Sequence, residues 1–362
     1  MTRLTRADLE GLPAYVPGRS LADLTRELGI AEAIKLASNE VPYGPLPGVI
    51  EAVTETMRQS HRYPDMGVVA LRDALAARYG VAADRIVTGC GSVALAETLA
   101  KATCLPGDEI VHSWRSFEAY PIISAGVGAT SVRVPNTAGH GHDLAAMADA
   151  VTDRTRLVIV CNPNNPTGTA VHKAELDRFL AAVPSDVLVV LDEAYRELVT
   201  DPDVPDAIDT YADRANVVVL RTMSKAWGLA GLRMGYLVAQ PAVAAAIRKV
   251  LTPFSTSLVA QAAALAALQQ EDEVKRRCAL VVAERDRVTE ALRKLNVEVP
   301  ESQANFVWLP LGDKAAPFGA SCEGRGVIVR PFQPDGVRVT IGTAEENDAF
   351  LAAAEIALEQ LG

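Results

Sequence analysis

The apolar positions of the chain fall into two rhythms. Short runs rich in Val, Ile and Leu recur at Arg85–Thr88, Glu109–His112, Thr130–Val134, Leu157–Val160, Val187–Leu191 and Val217–Leu220. Several of them, Val187-Leu188-Val189-Val190-Leu191 most plainly, are apolar without alternation. That pattern suits strands covered on both faces. Between the runs the period lengthens. Ser92–Ala102 carries strong helix formers after a glycine turn, and Leu176, Phe179, Leu180 and Val183 fall at helical spacing in the stretch from Lys173. Strand–helix alternation from about 85 to 240 predicts an α/β fold, a parallel sheet wrapped by helices.

The two ends read differently. Residues 1–40 are loop-rich, and 41–48 carry Pro42, Pro45 and Pro47 with two glycines, which suits an ordered connector. From Thr252 the pattern becomes long Ala- and Leu-rich helices, through Gln270 and again over Glu271–Leu295. Strand-like pieces follow at Asn305–Leu309, Gly326–Arg330 and Val337–Ile341, and a last helix is expected over Glu345–Leu361. The expected division is an N-terminal arm that joins the small domain (1–44), a large domain (45–251) and a C-terminal small α+β domain (252–362).

Composition narrows the classes. With 362 residues, 49% hydrophobic and 22% charged, there is ample material for a core and for about two domains. The net charge of −10 argues against a nucleic-acid partner, which would need a basic footprint. The five cysteines are odd in number, widely spaced and free of any C-x-x-C, so neither a disulfide framework nor a structural metal site is expected. No N-terminal apolar segment resembles a signal peptide, and no apolar run is long enough for a membrane span. These features together predict a soluble, reduced, cytoplasmic protein with no membrane association.

Chemistry gathers where predicted strands end. Gly89-Cys90-Gly91-Ser92-Val93-Ala94 follows one strand and opens a helix, so backbone N–H groups can meet a phosphate there. A dinucleotide reading would need an acid at the end of the next strand, which instead ends in Ser113-Trp114. That disfavours the dinucleotide reading beside a mononucleotide-like or single-phosphate cup or a plain tight turn. Asn162-Pro163-Asn164-Asn165-Pro166-Thr167-Gly168 follows the strand at 157–161, where open α/β sheets bind ligands. Asp192 finishes the apolar run at 187–191, where a carboxylate is costly unless a cation pairs with it, and Tyr195 follows three residues on. Lys225 lies in Thr222-Met223-Ser224-Lys225-Ala226-Trp227, an apolar setting that can depress an amine pKa, and Arg233 follows eight residues later. A phosphate cup, an asparagine, a buried acid with a tyrosine, and a lysine with hydroxyls are together what pyridoxal phosphate needs.

Taken with Leu36–Glu40, Arg62-Tyr63-Pro64-Asp65 and Gly231–Tyr236, these motifs resemble the aminotransferases of the fold-type-I pyridoxal-phosphate superfamily. The resemblance covers nearly the whole chain. It is nearest to the histidinol-phosphate aminotransferase subgroup and its actinobacterial aromatic (phenylalanine) branch. It implies a mostly parallel seven-stranded sheet sandwiched by helices. It implies that Lys225 forms the imine with the cofactor and then moves the proton, and that Asp192 pairs the pyridinium nitrogen. Asn165 and Tyr195 would hold the ring hydroxyl, while Gly91, Ser92, Thr222, Ser224 and Arg233 would take the phosphate. Phe117 would cover the ring, with Trp114 as the weaker candidate. Tyr63 resembles a tyrosine that reaches the phosphate of a neighbouring subunit, which implies a homodimer with composite sites. Arg338 resembles the arginine that grips the substrate carboxylate, and Arg330, Asn39 and Tyr15 resemble substrate-pocket residues. The expected substrates are an aromatic L-amino acid with glutamate/2-oxoglutarate, with histidinol phosphate as the alternative.

Overall fold

The computed structural model describes Arg6, Gly11, Leu12, residues 25–27, 29–30 and 33–361. Its centre is a seven-stranded sheet made of β2 (Ile86–Cys90), β3 (Glu109–Trp114), β4 (Thr130–Pro135), β5 (Thr155–Cys161), β6 (Leu188–Asp192), β7 (Val217–Thr222) and β8 (Met234–Val238), numbered after β1 (Ile34–Lys35). The strand order is β2-β8-β7-β6-β5-β3-β4. Every strand points the same way except β8, which lies antiparallel between β2 and β7.

The unbroken apolar runs follow from this layering. Along β5, Val158 and Val160 join one core cluster while Leu157, Ile159 and Cys161 join another; along β7, Val217 and Val219 divide from Val218 and Leu220 in the same way. Successive side chains leave a strand on opposite faces, so a sheet buried on both sides needs an apolar residue at every position. Leu176, Phe179 and Leu180 of the helix Lys173–Ala182 close the first face. Leu95 and Leu99 of the helix Gly91–Thr103 close the second. Each such buried side chain is worth roughly 1.5–3 kcal/mol relative to exposure.

The C-terminal portion follows the predicted order of two helices, strands and a last helix, except that an unexpected helix, Ala315–Glu323, stands between the first two strand pieces. Leu258–Leu268 and Glu271–Lys294 are helical, and the chain closes on the helix Ala344–Leu361. β9 (Phe306–Leu309), β11 (Arg330–Phe332) and β12 (Gly336–Thr340) form an antiparallel sheet in the order β11-β12-β9. One expectation is corrected here. The segment 326–330 is two short strands, because the chain changes sheets at Val329. β10 (Val327–Ile328) pairs in parallel with β1, and β11 pairs with β12. One core cluster runs continuously from Val189 in the central sheet to Phe306, Val337 and Phe350.

Candidate active site

Six of the seven strands are parallel, so their carboxyl ends share one edge, and the loops leaving β2, β3, β5, β6 and β7 converge there. They surround a cavity of about 330 Å³. Of the residues singled out from sequence, Asn39, Ser92, Phe117, Asn165, Asp192, Tyr195, Thr222, Ser224, Lys225, Arg233, Arg330 and Arg338 all line it. Gly91 lies directly beside it, since a Cβ added there would overlap the Arg233 guanidinium.

Lys225 is brought in by the tight loop after β7. Its Nζ donates to the Ser38 carbonyl at 3.2 Å. Burial, with the positive charges of Arg338 and Arg233 adding to it, lowers its pKa from 10.5 to about 7. A neutral amine is thus accessible near neutral pH. Asp192 ends β6 and is fully buried. Burial raises its pKa to about 6, opposed by a hydrogen bond from the Tyr120 hydroxyl and by the Ala194 backbone N–H. The Tyr120 Oη to Asp192 Oδ2 distance is 2.8 Å, whereas Asp192 Oδ1 has no hydrogen-bond partner.

The phosphate-sized corner is built from glycine geometry. Gly91 sits at φ +79°, and the helix Gly91–Thr103 starts with no side-chain cap on its first N–H groups. β8 presses against that start: a Cβ on Gly235 would overlap the Ser92 nitrogen. Arg233, itself left-handed at φ +58°, donates to Ser224 Oγ at 3.2 Å, and the Thr222 hydroxyl accepts from the Ser224 N–H at 3.1 Å. A helix N-terminus, hydroxyls and a guanidinium in one corner are groups that can hold an anion.

The loop after β5 divides its asparagines by task. Asn162 exchanges two bonds with Val171, and Asn164 ties the loop to the Arg115 carbonyl and to the Ser116 hydroxyl. Asn165 alone of the three lines the cavity, and its Oδ1 accepts from Arg338 Nη1 at 2.6 Å. Arg338 Nη2 donates to the Ala37 carbonyl, also at 2.6 Å. The Tyr195 hydroxyl accepts from Asn39 Nδ2 at 2.9 Å, and burial pushes its pKa up. Asn39, at φ +55°, is further fixed by Thr340. Phe117 packs edge-on against Tyr120. Trp114 is not among the cavity residues; it is held between the guanidinium groups of Arg115 and Arg133.

One expected residue, Tyr63, is not brought to this cavity. Tyr63 is 81% exposed and stacks on Phe254, away from the cavity of its own chain. Tyr15 lies outside the described residues. The sequence reading gave no role to Tyr120, Ser38, Ala37 or Cys161. Tyr120 lies in the first turn of the helix Ala119–Gly126, and its N–H donates to the Phe117 carbonyl at 3.1 Å.

A sequence-family model described as aminotransferase class I and II matches residues 31–353. The chain belongs to this aminotransferase family. It is 56% identical to the aromatic amino acid aminotransferase of Streptomyces avermitilis, over 97% of this chain and 96% of that one. The aromatic amino acid aminotransferase of Rhodococcus jostii is also 56% identical, over 98% and 96%. Among solved structures, histidinol-phosphate aminotransferase from Sinorhizobium meliloti in complex with pyridoxal-5'-phosphate matches with a TM-score of 0.90 at 28% identity, covering 100% of this chain and 99% of that one. The seven-stranded, mostly parallel sheet of this aminotransferase is the fold of that family. Among the described residues, no helix is long and apolar enough to cross a membrane, and no cluster of His, Cys, Asp and Glu could hold a metal ion.

Proposed function

We propose that this aminotransferase uses pyridoxal phosphate to exchange the amino group of an aromatic L-amino acid with 2-oxoglutarate. The observation that carries the cofactor assignment is the unpartnered, buried Asp192 Oδ1 in the same cavity as Lys225. A buried carboxylate oxygen without a donor costs free energy, and a protonated pyridine nitrogen is the donor that would satisfy it. The uncapped helix start at Gly91 and Ser92, with Thr222, Ser224 and Arg233, fits the phosphate. When bound, the cofactor supplies an aldehyde carbon and an electron-withdrawing ring.

The residues divide the remaining work. Asp192, oriented by Tyr120, would hold the ring nitrogen with its negative charge. Asn165 and Tyr195 orient the ring hydroxyl: Arg338 occupies the Asn165 carbonyl oxygen, so its amide Nδ2 is the donor, and the Tyr195 proton is the other. Phe117, which lines the cavity, would cover the ring face. Lys225 Nζ, whose pKa lies near 7, takes the proton from the substrate α-carbon and returns it. Arg338 grips the α-carboxylate, and Arg330 and Asn39 complete the substrate side.

The named activity of the relatives at 56% identity supports the aromatic substrate. Histidinol phosphate is the second reading, favoured by one observation: Arg330 and Arg338 are register partners on β11 and β12, two cations side by side. Steady-state kinetics with phenylalanine, tyrosine and histidinol phosphate decide it. A higher kcat/KM for the aromatic pair is expected, and a preference for histidinol phosphate would overturn the reading. Tyr63, exposed and stacked on Phe254, supports a homodimer in which it completes the partner's phosphate site. The five cysteines are free thiols, which suits the reducing cytoplasm where we place the enzyme.

A further inference from the structure

Glu118 follows Phe117 in the loop that leaves β3, and it starts the helix Ala119–Gly126. Its Oε2 accepts from Arg330 Nη2 at 3.0 Å, with both side chains partly buried. The second carboxylate oxygen is 3.9 Å from Arg115, which Asp335 holds at 2.6 Å. The loop is firmly placed, because Ser116 and the Arg115 carbonyl are both bonded to Asn164. Beside the Arg330–Glu118 contact, Ser116, Phe117, Asn165, Phe332 and Arg338 leave a recess of only about 10 Å³. That is room for one water at most, while Arg330 and Arg338 also face the main cavity.

The electrostatic consequence follows from counting. Arg330 and Arg338 stand directly opposite each other across β11 and β12. Together they would offer two positive charges to a ligand, a match for the −1.5 to −2 of a phosphate monoester at about pH 7. With Glu118 paired to Arg330, the three groups carry a net charge of +1, a match for one carboxylate.

We propose that Glu118 is a specificity-determining residue: by pairing with Arg330 it withdraws the second cation and selects donors with one carboxylate and an uncharged ring over phosphate monoesters. The inference rests on the aromatic reading given above. Selection of this kind acts by penalising the wrong ligand, through repulsion from Glu118 and loss of an arginine contact. A purely structural alternative exists, because like charges directly opposite on a strand pair are destabilising and Glu118 would relieve them. The two differ in what they predict for binding.

The test uses the holoenzyme and two unreactive probes sharing one ring, 3-phenylpropionate and phenyl phosphate, as competitive inhibitors. Glu118→Gln is expected to tighten phenyl phosphate relative to 3-phenylpropionate by about tenfold, roughly the worth of one charge-assisted hydrogen bond. In Glu118→Gln/Arg330→Gln that gain should vanish. A ratio of inhibition constants within twofold of wild type overturns the proposal, and a lowered melting temperature with that unchanged ratio assigns Glu118 to strand-pair relief alone. Should the glutamine variant not fold, Glu118→Ala removes the same charge and is read by the same ratio. Wild-type turnover of phenylalanine tests the aromatic reading separately, since the inhibitor ratio does not depend on which donor reacts.

Discussion

At the scale of single residues, the site depends on two groups whose burial pushes them toward neutrality, Lys225 and Asp192. Lys225 has the sharper consequence. Its folded pKa of about 7 lies below the ordinary 10.5, so between these values the unfolded chain binds the extra proton. Stability of the cofactor-free protein therefore rises with pH across that window, and the contribution is lost as pH falls through 7. Lys225→Met should stabilise the cofactor-free protein by about 1–3 kcal/mol at pH 6, an advantage that disappears above pH 10.5, as thermal melts at both values would reveal. The same variant should form no keto acid. In the wild type, the rate of cofactor uptake followed by absorbance should climb with a midpoint near pH 7; a midpoint near 10 would place Lys225 in a solvated setting.

At the scale of elements, the phosphate corner relies on β8 pressing Gly235 against the start of the helix Gly91–Thr103. Gly91→Ala would force an L side chain into left-handed backbone and push the Arg233 guanidinium aside. A loss of about 1–2 kcal/mol in stability is expected from the backbone alone. Cofactor affinity by spectral titration should fall roughly tenfold or more, as for loss of one charge-assisted contact. The sequence made most of this legible because runs such as 157–161 and 187–191 are apolar at every position, and their ends carry unusual residue types. β8 was harder to see. Met234–Val238 is short, follows a left-handed arginine and lies inside a motif read for its chemistry. Glu118 and Tyr120 escaped notice for a different reason: their roles come from contacts with Arg330 and Asp192, 212 and 72 residues away, which no local pattern encodes.

At the scale of the whole molecule, Tyr63 turns outward, stacked on Phe254 at 4.5 Å. If it serves a partner's site, mixing Lys225→Ala with Tyr63→Ala under subunit exchange gives heterodimers with one doubly damaged and one intact site. Random pairing should restore about a quarter of wild-type activity, provided each parent is severely impaired. No recovery, with exchange shown by an independent label, would remove Tyr63 from the partner's site. The lone antiparallel strand has a consequence of another kind, for the order in which the chain can assemble. β2 joins the sheet only through β8. Five strands, β3 to β7, can pair with one another as they leave the ribosome, while β2, made before all of them, waits with both edges bare. The corner proposed for the anion is therefore the last part of the sheet to close, and it cannot exist until residue 238 has been synthesised.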